Sequence, residues 1–206
     1  MNEKLKKILI YFNYYRTVIA LLLVKTCRLS DKCEADIEAY SQYLFGKKIN
    51  FFYFSKLLIE EKSLRNVLLN RMHRNIIHYL LFRLLFKPLD SLYINTPPEL
   101  IGGGLTFQHG FSTIIAAKKI GNNCRIYQQC TIGFNGTEAP IIEDNVRICA
   151  GAKIIGGVTL HSNCVIGAGA VVVKDVPSNM VAIGVPAKMI PAKERRALSA
   201  GMWNES

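Results

Sequence analysis

The residue types able to do chemistry are few in this chain, and their spacing narrows them further. Of four histidines, His73 and His78 fall on a helical stretch, and His161 takes the second, outward-facing slot of a six-residue repeat. His109 stands apart in Gln108-His109-Gly110, ahead of the regular repeats. An imidazole titrates near pH 6.5, so it can accept a proton from a hydroxyl at neutral pH. On residue type alone, however, a lone histidine reads first as a satisfied structural residue. The six cysteines include no metal-type CxxC pair. Cys124, Cys130 and Cys164 take the small position of their repeats, where a thiol packs as a small hydrophobe. Reduced thiols, a cytoplasmic location and no disulfide framework are the expectation. There is no P-loop or dinucleotide fingerprint, and Gly167-Ala168-Gly169 belongs to a repeat. Trp203 is alone in the tail, and no aromatic-basic strip offers a stacking platform, so nucleic-acid binding is not expected.

The element that must position these residues is a repeat. From Ile142 to Val172 an aliphatic residue opens every sixth position: Ile142, Ile148, Ile154, Leu160, Ile166 and Val172. Four residues after each opener comes a small or β-branched one: Val146, Ala152, Val158, Cys164 and Ala170. A period of six fits neither an α-helix nor an alternating strand. It predicts a parallel β-helix in which three hexads make one triangular coil. The openers point inward and stack between coils, and the small residues allow tight corners without overpacking. Earlier, Ile114, Ile120, Ile126 and Ile132 fall into the same step. Ile132 to Ile142 then spans ten residues, so Gly133 to Pro140 must leave the prism as a loop, and such insertions often build the binding face.

Ahead of the repeats the pattern is helical. Residues 3–28 place Leu5, Ile8, Leu9, Phe12, Tyr15, Ile19, Leu22, Leu23 and Thr26 on one helix face. Asp31 with Glu34 resembles a capping box for a helix ending at Gly46, Phe51 to Phe54 reads as an aromatic helix contact, and Ser63 can cap a helix that ends at Lys87-Pro88. Leu80, Leu81, Leu84, Leu85 and Phe86 surround Arg83 on most sides. Packing within the helical domain or between subunits is favoured there over a membrane-surface face. Lys4, Lys6 and Lys7 precede an apolar stretch, but Asn13 and Arg16 interrupt it and no cleavage site follows, so the stretch reads as an amphipathic helix, peripheral at most. Asn95-Thr96-Pro97-Pro98 reads as a linker. The resulting domains are 1–94 helical, 95–190 β-helix, and 191–206 a tail with a short basic helix at 192–201. Net charge is +11. Residues 1–98 hold 16 Lys and Arg against 8 Asp and Glu, and residues 99–206 hold 10 against 7, so the basic excess lies in the helices. That favours acidic partners such as anionic lipid surfaces or phosphorylated carriers, as well as a plain solvated basic face.

The hexads, Val176-Pro177 followed by Gly184-Val185-Pro186-Ala187-Lys188, and Gly104-Leu105-Thr106-Phe107-Gln108-His109-Gly110 together resemble the hexapeptide-repeat acyltransferases. Within these the chain is similar to the serine acetyltransferase branch, and closer in look to the O-acetyltransferases of exopolysaccharide and colanic-acid assembly. The likeness covers residues 99–190. It implies a left-handed β-helix, a trimer, and acetyl-CoA held between adjacent prisms, with no metal. It implies that His109 is the general base that takes the proton of an acceptor hydroxyl. It implies a cofactor site of Gly133, Ala150, Gly151, Ala168 and Gly169, with Lys188 toward the nucleotide phosphates, and an acceptor site at Gln108, Asn135 and Glu138. Serine acetyltransferases have an aspartate where Gln108 stands, and an arginine and histidine where Glu138-Ala139 stand. With serine's charges so unmatched, the expected acceptor is a saccharide hydroxyl. Serine O-acetyl transfer and a non-enzymatic trimeric scaffold are the alternatives. A γ-type carbonic anhydrase, which needs three zinc histidines, is disfavoured because the repeats offer only His109 and His161. The family's orienting acid would fall near Ile94, leaving Asn95, Glu99 or a carbonyl to orient His109.

Overall fold

The computed structural model describes residues 11–191. Lys4, Lys6, Lys7 and the expected tail helix lie outside the described residues. Among the described residues five α-helices lead: α1 (Tyr14–Lys25), α2 (Ser30–Phe45), α3 (Phe51–Glu60), α4 (Lys62–Met72) and α5 (Ile76–Leu85). A parallel β-solenoid of about five coils follows. Its first face holds β1 (Leu92–Ile94), β3 (Thr113–Ile115), β6 (Thr131–Gly133), β9 (Lys153–Ile155) and β12 (Val171–Val172). The second holds β4 (Lys119–Ile120), β7 (Ile141–Ile142) and β10 (Thr159–Leu160). The third holds β2 (Thr106–Gln108), β5 (Arg125–Tyr127), β8 (Arg147–Ile148), β11 (Val165–Ile166), β13 (Met180–Ile183) and β14 (Lys188–Pro191). Only β13 and β14 pair antiparallel among these, closing the lower end as a hairpin.

The hexad openers form three buried rows, one per face. Ile115, Ile132, Ile154 and Val172 stack on the first, Ile120, Ile142, Leu160 and Val176 on the second, and Phe107, Ile126, Ile148, Ile166 and Ala182 on the third. Ile114, expected inside, is exposed, and Ile115 takes its place. The cause lies at the corner carrying His109. Phe107 to Ile115 spans eight positions instead of six, and the step from Ile115 to Ile120 spans five. The corners turn through left-handed backbone, which asparagine and glycine adopt with least strain. Asn123, Asn145 and Asn163 (φ 55°, 59° and 64°) do this on one edge. On another, His109, Gln129, Gly151 and Gly169 do so (φ 64°, 61°, 74° and 66°).

The top coil would expose unpaired backbone, a liability for any repeat array. The helices cover it. Asp36 accepts from Leu105 N at 2.8 Å and pairs with Arg71 at 2.9 Å, both side chains fully buried. Arg71 also donates to the carbonyls of Pro98, Ile101 and Gly102. Burial pushes the Asp36 carboxyl up, and Arg71 opposes this. The Tyr40 hydroxyl accepts from Phe107 N at 2.9 Å and donates to Ser63 Oγ at 3.1 Å.

The helical readings need several corrections. Ser63 serves this cap rather than its own helix, whose N-terminal residue is Lys62. Neither Asp31 nor Glu34 caps α2, which opens at Ser30; Glu34 instead pairs with Lys25. The expected helix ending at Lys87-Pro88 is broken at Asn75, whose side chain accepts from Ile77 N and His78 N to start α5. The stretch read as a linker supplies part of the first coil: Asn95 N donates to Ile115 O, and Thr96 is buried against Ala117. Of the residues placed on one face of the first helix, Phe12, Tyr15, Ile19 and Leu22 are exposed, and Leu23 is buried with Ala20 and Val24.

Candidate active site

His109 closes β2 and opens the enlarged corner between the third and first faces. Its imidazole is exposed and has no hydrogen-bond partner among the described residues, and its backbone is left-handed. Below it on the same edge the corners stack directly. Gln129 N donates to Phe111 O (2.9 Å), Gly151 N to Gln128 O (3.0 Å), Gly169 N to Ala150 O (2.9 Å), and Val171 N to Gly184 O (3.0 Å). Ala150, Gly151, Ala168 and Gly169 thus form a ladder of small residues descending from the histidine. A Cβ built on Gly169 meets nothing within 4 Å, and one on Gly151 comes no closer than 3.7 Å to Gly169. The surface at these two glycines is open, below the corner that carries Gln128 and Gln129. Lys188 lies exposed at its foot, in register with Ile183 across the closing hairpin. The structure therefore brings together His109, the four small residues and Lys188.

The other expected residues lie elsewhere. Gly133, Asn135 and Glu138 sit on the edge between the first and second faces. There the ten-residue step forms a tight hairpin, with Asn135 N to Glu138 O at 3.0 Å, Glu138 N to Asn135 O at 3.2 Å, and Gly136 in the left-handed region. The hairpin folds onto the next coil. A Cβ on Gly156 would lie 3.2 Å from Asn135 Cβ, and one on Gly157 3.1 Å from Glu138 Cβ, so two glycines make room for it. His161 belongs to the third edge, where its Nδ1 lies 3.1 Å from Glu143. Glu143 also accepts from Ser162 N and Oγ. These bonds, more than His161, hold its carboxyl below the usual range.

Gln108 is not a free ligand for substrate. Tyr43 of α2 donates its hydroxyl to Gln108 Oε1, and the Arg125 guanidinium stacks 3.6 Å over the Tyr43 ring. Arg125 and Arg147 lie side by side on the third face. Arg125 Nε and Gln128 Oε1 are buried without a hydrogen-bond partner.

One acidic residue that sequence reading did not single out faces this corner. Glu61, between α3 and α4, is partly buried, and burial raises its carboxyl. Glu60 raises it further, whereas nearby His109 and Arg65 lower it. Its place follows from Ser63, whose Cβ lies 3.2 Å from where a side chain on Gly110 would begin. Nothing local marks it, because a helix junction far upstream meets the corner only after folding. Glu99, named as an orienting candidate, pairs with Arg74 instead, and Asn95 sits at the far end of β1. Among the described residues no three His, Cys, Asp or Glu side chains are grouped to hold a metal ion.

With this geometry in view, comparison with known proteins is informative. Residues 139–174 match the family model "Bacterial transferase hexapeptide (six repeats)". Over those residues the chain is similar to the bacterial hexapeptide transferases. The serine acetyltransferase of Staphylococcus xylosus is 40% identical over 105 residues, covering 48% of this chain and 49% of that protein. That of Synechococcus elongatus is 37% identical over 99 residues, covering 46% and 41%. The chain thus spans about half the length of the curated relatives it matches. Among solved structures, Neisseria gonorrhoeae serine acetyltransferase in complex with serine aligns at TM-score 0.59 and 29% identity, covering 86% of this chain and 73% of that one. Brucella abortus serine acetyltransferase aligns at TM-score 0.61 and 26% identity, covering 79% and 69%.

These relatives overturn the expectation of a saccharide acceptor and the closer likeness to exopolysaccharide enzymes, since their names specify serine. That expectation assumed serine's charges had to be met at Gln108 and Glu138-Ala139. In the folded chain another charge stands near the corner, Glu61 beside His109.

Proposed function

We propose that this protein is an acetyl-CoA-dependent serine O-acetyltransferase that works as a trimer. The observation that carries the reading is the stack below His109: an unpartnered imidazole above an open ladder of small residues ending at Lys188. A thioester laid along this ladder, with its phosphates toward Lys188, would present its carbonyl near His109. His109 takes the serine hydroxyl proton as that oxygen attacks the thioester carbon. The carbon–sulfur bond breaks, and the proton passes to the departing thiolate, giving O-acetylserine and CoA. Glu61 stabilises the imidazolium formed midway and favours an amine-bearing acceptor at that corner. The hairpin with Gly133, Asn135 and Glu138 stands one prism edge away. In a trimer it reaches the His109 edge of a neighbour, where the Gly133 amide can meet the developing oxyanion.

The test is CoA release with acetyl-CoA and L-serine, with glycerol as an uncharged control. Release should depend on serine and fall about 10²–10⁴-fold in His109→Asn, a change suited to the left-handed turn. No serine-dependent release by the intact chain would refute the acceptor. Unchanged release by His109→Asn would refute the base.

A further inference from the structure

The helical half carries a surface that the proposed reaction does not use. Tyr15, Ile19 and Leu22 on α1, and Ile77, Leu80 and Leu84 on α5, are all exposed, Ile77 at 65% and Leu84 at 83%. Both triplets follow helical spacing, so each is one continuous stripe. The two helices run antiparallel and side by side. Thr26 Oγ1 meets His78 Nε2 at 2.9 Å at one end, and Arg16 lies 4.5 Å over the Phe86 ring at the other. The stripes therefore join into one apolar face, larger than scattered exposed residues would give.

The charge around this face is mostly positive. Residues 11–30 contain Arg16, Lys25 and Arg28 and no carboxylate side chain, and residues 62–89 contain six basic residues and none, of which Arg71 is buried against Asp36. Lys25, Arg74 and Lys87 meet Glu34, Glu99 and Asp90 at the rim, in exposed pairs of little strength. Arg83, on α5 itself, is held by the neutral Tyr79 hydroxyl at 3.1 Å. Lys4, Lys6 and Lys7 precede α1 in the sequence. A second copy applied to this face would set cation against cation. An anionic lipid surface satisfies both components at once: acyl chains take the leucines and isoleucines, and headgroup phosphates take the arginines and lysines. Among the described residues no helix is long and apolar enough to cross a membrane, so the contact is interfacial.

We infer that the α1/α5 face docks the protein on an anionic membrane surface, with the apolar stripes at the headgroup boundary and Arg83 among the phosphates. The full chain is sedimented with vesicles of phosphatidylcholine alone and with vesicles containing phosphatidylglycerol. It should bind the anionic vesicles about tenfold more strongly, and high salt should erase the difference. Ile77→Glu with Leu84→Glu should abolish binding while leaving circular dichroism and melting unchanged, because both side chains are exposed. Arg83→Glu, a milder change, should weaken binding to anionic vesicles alone. Equal binding to both vesicle types, no binding to either, or binding untouched by these substitutions would overturn the inference. So would a fall in oligomeric mass of the double variant by light scattering, which would assign the face to a second copy.

Discussion

The prism carries histidines on two of its edges, and the same repeat treats them differently. His161 on one edge is tied to Glu143, which also binds Ser162, so its imidazole is committed to holding one coil to the next. His109 on the other occupies a left-handed corner enlarged by two residues, with no hydrogen-bond partner and with Glu61 nearby. Above His161 the edge is crossed by polar side chains such as Asp144, which binds Asn122. Below His109 and the Gln128-Gln129 corner, the edge is reduced to alanine and glycine. A histidine on a regular repeat is thus structural when its neighbours can reach it. It becomes available for chemistry where the repeat is interrupted.

The sharpest way to break this contrast is to exchange the histidines in turn. His109→Asn should lower acetyl transfer about 10²–10⁴-fold with the fold intact, whereas His161→Asn should leave kcat within about twofold. Parallel kinetics and melting curves would check both. Next comes the cap above the His109 edge. Arg71→Met strands Asp36 in the interior and should cost about 3–5 kcal/mol, seen as a lower melting temperature. Smaller again is a block on the ladder. Ala168→Trp should raise the KM for acetyl-CoA about tenfold, or about 1.4 kcal/mol, without changing stability, because Ala168 is exposed. The least effect belongs to the other edge. The folded-state carboxyl of Glu143 titrates below its ordinary value near 4.3, so its stabilising contribution is present above that pH and is lost as pH falls through the lowered value. In melting curves taken from pH 6 downward, Glu143→Gln should flatten the acid limb relative to the unaltered protein.

The repeats were legible from sequence because a period of six is a covalent fact that the interior rows translate one for one. Ile142 to Val172 needed no tertiary information. The corner residues before Cys124, Val146 and Cys164 also carried a readable signal, since Asn123, Asn145 and Asn163 are a residue type that adopts left-handed backbone. Ile114 was misplaced because the count was carried through a corner of irregular length. In the helices, amphipathic spacing located α1 but did not say which way its apolar face turns. An apolar stripe reads alike whether it faces a core or a lipid surface, and only the packing of Ala20, Leu23 and Val24 distinguishes them.

The site divides in the same way. His109, the small residues and Lys188 could be proposed from sequence only through the family resemblance; of these, Ala150, Gly151, Ala168 and Gly169 recur at the same point of successive coils. Their descent along one edge, and the displacement of Gly133, Asn135 and Glu138 to another, depends on how many residues each corner consumes. The acceptor was misjudged for a related reason. Charges were sought only beside Gln108 and in the loop, while Glu61 reaches the corner from a helix junction remote in sequence. By itself the sequence determined the prism, its period and the histidine at its interruption, because those rest on local spacing. Which edge holds the ladder, which histidine stays free, and which distant carboxylate stands beside it were decided by the tertiary structure. The first two depend on how many residues each corner consumes, and the last on where the helices close the open end of the solenoid, through Asp36, Tyr40, Ser63 and Arg71.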